Sequence, residues 1–414
     1  MVLLLVVVAW LLSSPDTSVP ADIGDQWESA DRSELIARGE YLATAGNCGS
    51  CHTVPGGAFM AGGLAFETPF GTIYSTNITP DGATGIGRWS VEDFLRSMRY
   101  GVRPGGEHLY PAFPYTNFTR AADEDLLALY AYLLSLEAAE QAPTPNALPF
   151  PFNIRALMAA WKRLFFDAGP YEDDPDQSAE WNRGAYLVEA LAHCGACHTP
   201  RNSLGAERRD QWMGGGSYTD RVPGGHYRRW STPNLTPSTR GLGLWTREEL
   251  VSYLRTGRNA FLDTFGPMNE VIINSTSRLA PEDVQSIALY LESLPALDEA
   301  PGGAVPENVM GRGRTIYNLH CGTCHLPTGL GDPEMAPRLD SGSLVVQQDD
   351  PASMINAILY GPELAELAPR WRNPMEEFQY LLDDEEVAAV ASFIRNSWGN
   401  RAGQVAAEQV AAQR

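Results

Sequence analysis

The pattern Cys-x-x-Cys-His occurs three times, as Cys48-Gly49-Ser50-Cys51-His52, Cys194-Gly195-Ala196-Cys197-His198 and Cys321-Gly322-Thr323-Cys324-His325, and it consumes all six cysteines of the chain. Two thiols three positions apart on one helical turn face the same side, so both can bond the vinyl groups of one porphyrin while the adjacent imidazole meets the iron. A single copy would also suit a redox dithiol or a zinc site. Three copies with no cysteine left over argue against those readings and against a disulfide framework, and imply three covalently held haem c groups. Attachment of this kind takes place outside the cytoplasmic membrane in bacteria, which puts the chain on the periplasmic side of that membrane.

Each such group needs its own small core. A length of 414 residues suits two to four domains, and the even spacing of Cys48, Cys194 and Cys321 favours three. Thirty Lys and Arg against 51 Asp and Glu leave a net charge of −21, which argues against nucleic acid as a partner because phosphate binding needs a basic face. The acidity reads as a solvated surface or as a docking field for a basic redox partner.

The repeat is larger than the five-residue pattern. Upstream lie Arg38-Gly39-Glu40-Tyr41-Leu42, Arg183-Gly184-Ala185-Tyr186-Leu187 and Arg312-Gly313-Arg314 with Ile316-Tyr317, each starting a helix that delivers the cysteines. Downstream, Asn77-Ile78-Thr79-Pro80 leads to Trp89, and Asn234-Leu235-Thr236-Pro237 leads to Trp245. Helical apolar patterns follow over 91–100 and 247–256, with a counterpart over 351–360. Trp89 and Trp245 read as packing residues rather than electron conduits. Each module closes with acidic residues leading an amphipathic helix, over 126–136, 284–294 and 387–398; carboxylates in a first turn suit the helix dipole and read as structural.

This pattern predicts a mainly α protein of three tandem class I cytochrome c domains, at 34–140, 181–296 and 310–400. Residues 1–33 form an N-terminal apolar segment and tether; the run Val2 to Leu12 is an uncleaved membrane anchor or a cleaved export signal, being shorter than the roughly 20 residues of a full span. The linker 141–180 carries a basic amphipathic stretch over 154–166 that suits packing on its own domains, a membrane surface, or a quinone or partner contact. A second linker spans 297–309, and 401–414 reads as a flexible or weakly helical tail.

His52, His198 and His325 are the expected proximal iron ligands. Met268 in Gly-Pro-Met and Met375 in Asn-Pro-Met lie well downstream of the second and third motifs and are the expected distal ligands, since a thioether raises the reduction potential. The first module has Phe113 at the corresponding place, and phenylalanine cannot ligate iron. Its iron is then either five-coordinate or bound by one of the remaining candidates, Met98, Met60 or His108. His193 and His320, each directly before a motif cysteine, read as solvent-facing helix positions, with a hydrogen bond near a haem as the alternative; His226 carries little information.

The whole organisation resembles the tri-haem cytochrome c subunits of bacterial membrane-bound, quinone-linked dehydrogenases of the alcohol, aldehyde, gluconate and fructose type. The resemblance runs from about Leu35 to Asn400 and is carried by RGEYLATAGNCGSCHT, TPFGTIYSTNITPD, LYPAFPYTNF, GPMNEVIINSTS and ASFIRNSWGN. It implies an electron-transfer subunit without catalytic residues, partnered by a catalytic subunit that holds molybdenum, flavin or PQQ, with ubiquinone or a terminal oxidase as acceptor. Phenylalanine at position 113 resembles the partners of molybdenum-dependent aldehyde or N-heterocycle dehydrogenases. Two other readings are a haem peroxidase-like enzyme using an open first haem, and a stand-alone electron shuttle.

Overall fold

Asp31 begins the helix that delivers the first cysteine pair: its side chain accepts the backbone N–H groups of Ser33 and Glu34, capping the helix Arg32–Ala45. Gly46 ends that helix, and Asn47, with φ of 48°, turns the chain through the left-handed region into the short helix Cys48–His52. The computed structural model describes residues 16–222, 225–298, 300–363, 367 and 375–414. The chain folds as two compact units that divide between Ala196 and Cys197, inside the second attachment motif.

In the first unit the motif helix packs on the closing helix Asp123–Ser135, whose first turn carries Asp123, Glu124 and Asp125. Arg38 reaches Asp125 at 2.5 Å. One residue on, a Cβ on Gly39 would lie 1.9 Å from the carbonyl oxygen of Ala128. The glycine of the repeated Arg-Gly pair is therefore required by the helix crossing. The second unit repeats the device with the helices Glu307–His320 and Asp384–Ile394. There a Cβ on Gly313 would fall 2.2 Å from the Ala389 carbonyl oxygen, and Arg312 binds Glu385 at 2.8 Å. The carboxylates of both closing helices thus act structurally. Around the second crossing Ile316, Tyr317, Val387, Val390 and Phe393 form a continuous apolar core.

The helices that follow the tryptophans have sharp ends for a local reason. Ser90 and Asp93 form a reciprocal capping box on Val91–Tyr100, and Thr246 and Glu249 do the same for Arg247–Thr256. Gly101 and Gly257 stop them with φ of 61° and 75°. The third counterpart is the helix Ala352–Tyr360. Two antiparallel hairpins, Ala65–Thr68 with Gly71–Tyr74 and Gly216–Arg221 with Tyr227–Thr232, are additions to the helical scheme.

Two segments for which the sequence left alternatives take one of them. The tail after residue 400 is built into the third module rather than flexible: Val405 and Val410 are buried, and the helix Ala407–Ala411 packs on the closing helix. The buried Arg395 guanidinium donates to the Ala402 carbonyl, and Arg414 reaches Asp384 at 2.5 Å. The linker helix Leu157–Phe165 buries Ala159, Trp161 and Lys162 against the first module, which is the self-packing alternative. The apolar run over 2–12 lies outside the described residues; among those that are described, no helix is long and apolar enough to cross a membrane.

Candidate functional site

The three histidines of the motifs share one hydrogen bond. His52 Nδ1 lies 2.7 Å from the Thr76 carbonyl oxygen, His198 Nδ1 is 2.8 Å from that of Pro233, and His325 Nδ1 is 2.9 Å from that of Pro337. A carbonyl can only accept, so each Nδ1 carries the proton and each Nε2 keeps its lone pair, the form a metal-binding imidazole takes. Burial also holds His52 and His198 below the ordinary imidazole value, favouring the neutral ring. Burial pushes the Cys48 thiol up to about 11 and the Cys321 thiol up to about 12. These are not the acidic thiols of a dithiol redox centre. Paired thiols beside a ring that carries its proton on Nδ1 fit a covalently attached haem.

The Asn-x-Thr-Pro repeat explains how two of those carbonyls are held. Asn77 accepts from the Thr79 N–H at 2.9 Å and donates to the Ala139 carbonyl at 2.7 Å. Asn234 accepts from Thr236 at 2.8 Å and donates to Leu297 at 2.9 Å. Each asparagine anchors the turn directly after the carbonyl that orients the histidine. Sequence reading noticed the repeat without finding this role, for which the matched spacing was the available signal.

The downstream loops can be aligned by their backbone bonds. Leu109 N–H donates to the Gly101 carbonyl, and Thr264 N–H donates to the Gly257 carbonyl, each at 2.7 Å. Counting on from these two bonds brings Phe113 and Met268 to the same place. Phe113 packs on Phe118 with ring centroids 5.4 Å apart, and Met268 opens the short helix Met268–Asn274. In the third module Gly361 ends its helix with φ of 67° and comes close to the backbone of Met375, which also packs on the third core. Asn373 and Pro374, the context that marked Met375, lie outside the described residues.

The remaining residues considered for the first iron occupy other roles. Met60 has φ of 61° and donates its N–H to Thr53 Oγ1 at 3.1 Å; Met213 has φ of 60° and does the same to Thr199 at 3.1 Å. Thr53 and Thr199 directly follow their motif histidines, so the two methionines are counterparts on the histidine side of the repeat. Met98, counted back from Gly101, matches Leu254 counted back from Gly257, and both are buried in their helices. His108 Nδ1 lies 3.1 Å from Lys162 Nζ. When Lys162 is charged its ammonium can only donate, so Nδ1 accepts and the proton of the neutral ring sits on Nε2.

Lys162 was not foreseen as a buried group. Its Nζ donates to the carbonyls of Tyr100 at 2.5 Å and Gly101 at 2.8 Å and lies 4.6 Å from the Tyr115 ring centre. Burial pulls its pKa down to about 7, and burial together with the Lys162 charge takes His108 down to about 4. Trp245 is a packing residue as expected: its Nε1 donates to the Gly342 carbonyl at 2.8 Å and its ring stacks on Phe261. His320 is exposed, in line with the solvent-facing reading, and His226 is exposed as well. His193 is not: its ring stands edge-on to Phe118 and its Nε2 reaches the Gly46 carbonyl at 3.2 Å.

A family model described as Cytochrome c matches residues 36–137 and 310–398. Among curated proteins, the chain is 41% identical over 389 residues to a nicotinate dehydrogenase subunit of Pseudomonas putida, covering 91% of this chain but 31% of that protein. It is 38% identical to the gluconate 2-dehydrogenase cytochrome c subunit of Pantoea cypripedii, over 92% of this chain and 89% of the relative. It is 35% identical to the fructose dehydrogenase cytochrome subunit of Gluconobacter japonicus, over 95% and 85%. The chain belongs to the family of cytochrome c subunits of quinone-linked dehydrogenases, electron-transfer subunits rather than catalytic enzymes themselves.

Proposed function

We propose that the chain holds three haem c groups in three domains, 34–140, 181–296 and 310–400, and relays electrons one at a time from a catalytic dehydrogenase subunit to ubiquinone or a terminal oxidase, on the periplasmic side of the bacterial membrane. The observation that carries this reading is the same Nδ1-to-carbonyl bond at His52, His198 and His325, which sets the same tautomer, with the proton on Nδ1, in three rings that each directly follow a cysteine pair. A bound haem supplies reversible one-electron exchange between ferrous and ferric iron. The six cysteines would hold the porphyrins, His52, His198 and His325 would each supply an iron ligand, and Met268 and Met375 would supply a further ligand in the second and third domains. In the first domain Phe113 takes the methionine's place, and with His108 paired to Lys162 the first iron would be five-coordinate or held by Met60 or Met98. The apolar run over 2–12 would serve as a membrane anchor or as a cleaved export signal.

The likeness to a nicotinate dehydrogenase subunit, together with Phe113, favours a molybdenum-type catalytic partner acting on an aldehyde or N-heterocycle over a flavin or PQQ type. Peroxidase chemistry and free shuttling gain no support from relatives that are subunits of dehydrogenases. The test is expression of the full chain with periplasmic haem attachment, followed by a haem count and by spectroscopy of the ferric protein. Three haems per chain, two of them with thioether-to-iron charge-transfer absorption, are expected. Two haems, or three equivalent thioether-ligated centres, would overturn the assignment. Purification of the native complex with a molybdenum subunit tests the partner.

A further inference from the structure

The two residues that directly precede the first and second cysteine pairs, Asn47 and His193, both sit in the left-handed region, with φ of 48° and 40°. Such a conformation costs free energy for a residue with a side chain and persists where the surroundings over-determine it. Here the surroundings are visible and lie within one folded unit. His193 Nε2–H donates to the carbonyl of Gly46 at 3.2 Å, Asn117 Nδ2 donates to the carbonyl of Glu189 at 3.0 Å, and the Phe118 ring stands between Phe113 and His193. Gly46 also faces the backbone of Leu191, whose carbonyl a Cβ on the glycine would meet at 3.6 Å, an ordinary contact distance. A short continuous path therefore runs from Cys48 through Asn47 to the Gly46 carbonyl, across one hydrogen bond to the His193 ring, and on to Cys194. His320, the residue before the third cysteine pair, is instead exposed at the end of its helix, with its ring turned edge-on to Phe378.

We propose that His193 is a positioning residue that locks the first and second attachment loops together and so sets the electronic coupling between the haems those loops carry. This rests on the reading that both motifs hold haem. The exchange it supports moves one electron from a ferrous to a ferric iron, with no proton and no atom transferred. An imidazole suits the task because a planar donor fills the gap beside Phe118 and reaches the carbonyl in one fixed geometry, where a leucine would fill the gap and leave the carbonyl without its partner.

The experiment uses the full, haem-loaded chain and compares His193→Leu, His193→Gln and Asn117→Ala with the parent. Haem content is counted first, the spin coupling between ferric centres is read by electron paramagnetic resonance, and the internal electron-exchange rate is followed after rapid photoreduction. At full haem content His193→Leu is expected to slow the exchange between the first two centres several-fold and weaken their spin coupling, with the third centre unaffected. His193→Gln, whose amide can donate to the same carbonyl, restores both. Asn117→Ala loosens the same contact without touching the path and keeps the parent rate. Equal rates in the parent and His193→Leu, or equal slowing in Asn117→Ala, would overturn the proposal. A parent protein lacking haem on the first or second motif would instead overturn the three-haem reading. Should His193→Leu not mature, the Gln variant decides alone: parent-like coupling supports the donor role, and lost coupling refutes it.

Discussion

Gly311 and Gly313 stand two residues apart on the helix Glu307–His320, and substituting alanine at each should change stability in opposite directions. A Cβ on Gly311 meets nothing within 4 Å, and the residue is in an ordinary helical conformation. Alanine there removes only the entropic disadvantage of glycine, a gain of about 0.5–1 kcal/mol. A Cβ on Gly313 would fall 2.2 Å from the Ala389 carbonyl oxygen and 2.6 Å from Phe393 Cβ. To restore a normal contact the two helices must part by about 1 Å, an overpacking strain of about 1–3 kcal/mol that also loosens the packing of the closing helix. Because Gly313→Ala gains the same helix propensity, that gain cancels between the two variants, which should differ by the strain alone, about 1–3 kcal/mol. Denaturant unfolding of the haem-loaded protein measures this through fluorescence of Trp398, whose ring lies 4.9 Å from Tyr317 and 5.4 Å from Phe393 at the same crossing. A Gly313→Ala protein as stable as Gly311→Ala would refute the claim that the crossing dictates the glycine. Gly39→Ala, with its tighter 1.9 Å approach to Ala128, should be at least as damaging to the first module.

Other outcomes follow from the same geometry. Phe113→Met should give the first haem a thioether ligand, seen as added charge-transfer absorption in the ferric protein and a raised midpoint in redox titration; unchanged spectra would show that the Phe113 loop does not face that iron. The folded-state pKa of Lys162, about 7, lies below its ordinary 10.5, so the unfolded chain binds more protons between these values and stability should rise as pH climbs through that window. Lys162→Met should flatten this rise in urea titrations at several pH values, while taking the Lys162 donor from the Tyr100 carbonyl at a cost of about 1–3 kcal/mol; the Gly101 carbonyl keeps the Leu109 N–H. Deleting residues 401–414 removes the buried Val405 and Val410 and should lower the unfolding midpoint of the third module, measured by calorimetry; an unchanged midpoint would mean that the tail contributes nothing.

The elements easiest to read were those with local causes. The closing helices, expected over 126–136, 284–294 and 387–398, are found at Asp123–Ser135, Pro281–Glu292 and Asp384–Ile394, because carboxylate-rich first turns and apolar spacing are properties of the segment itself. The tail was harder: Val405 and Val410 are too few to make a pattern, and their burial depends on a groove that other helices supply. Lys162 was legible as a charge beside an apolar helix, and its burial was not, since the acceptors that satisfy it come from Tyr100, Gly101 and His108.

By itself the sequence determined the attachment chemistry, the helical class and the repeat, since each depends on residues a few positions apart. It also placed Phe113 against Met268 by spacing, an alignment that the shared backbone bonds to Gly101 and Gly257 reproduce. Only the tertiary structure decided why glycine follows arginine in the repeat, which carbonyl orients each histidine, and what separates His193 from His320. Both histidines directly precede a cysteine pair, and no local rule tells them apart. The difference lies in what packs against them: a backbone carbonyl from a segment 147 residues away in one case, and an exposed helix end in the other.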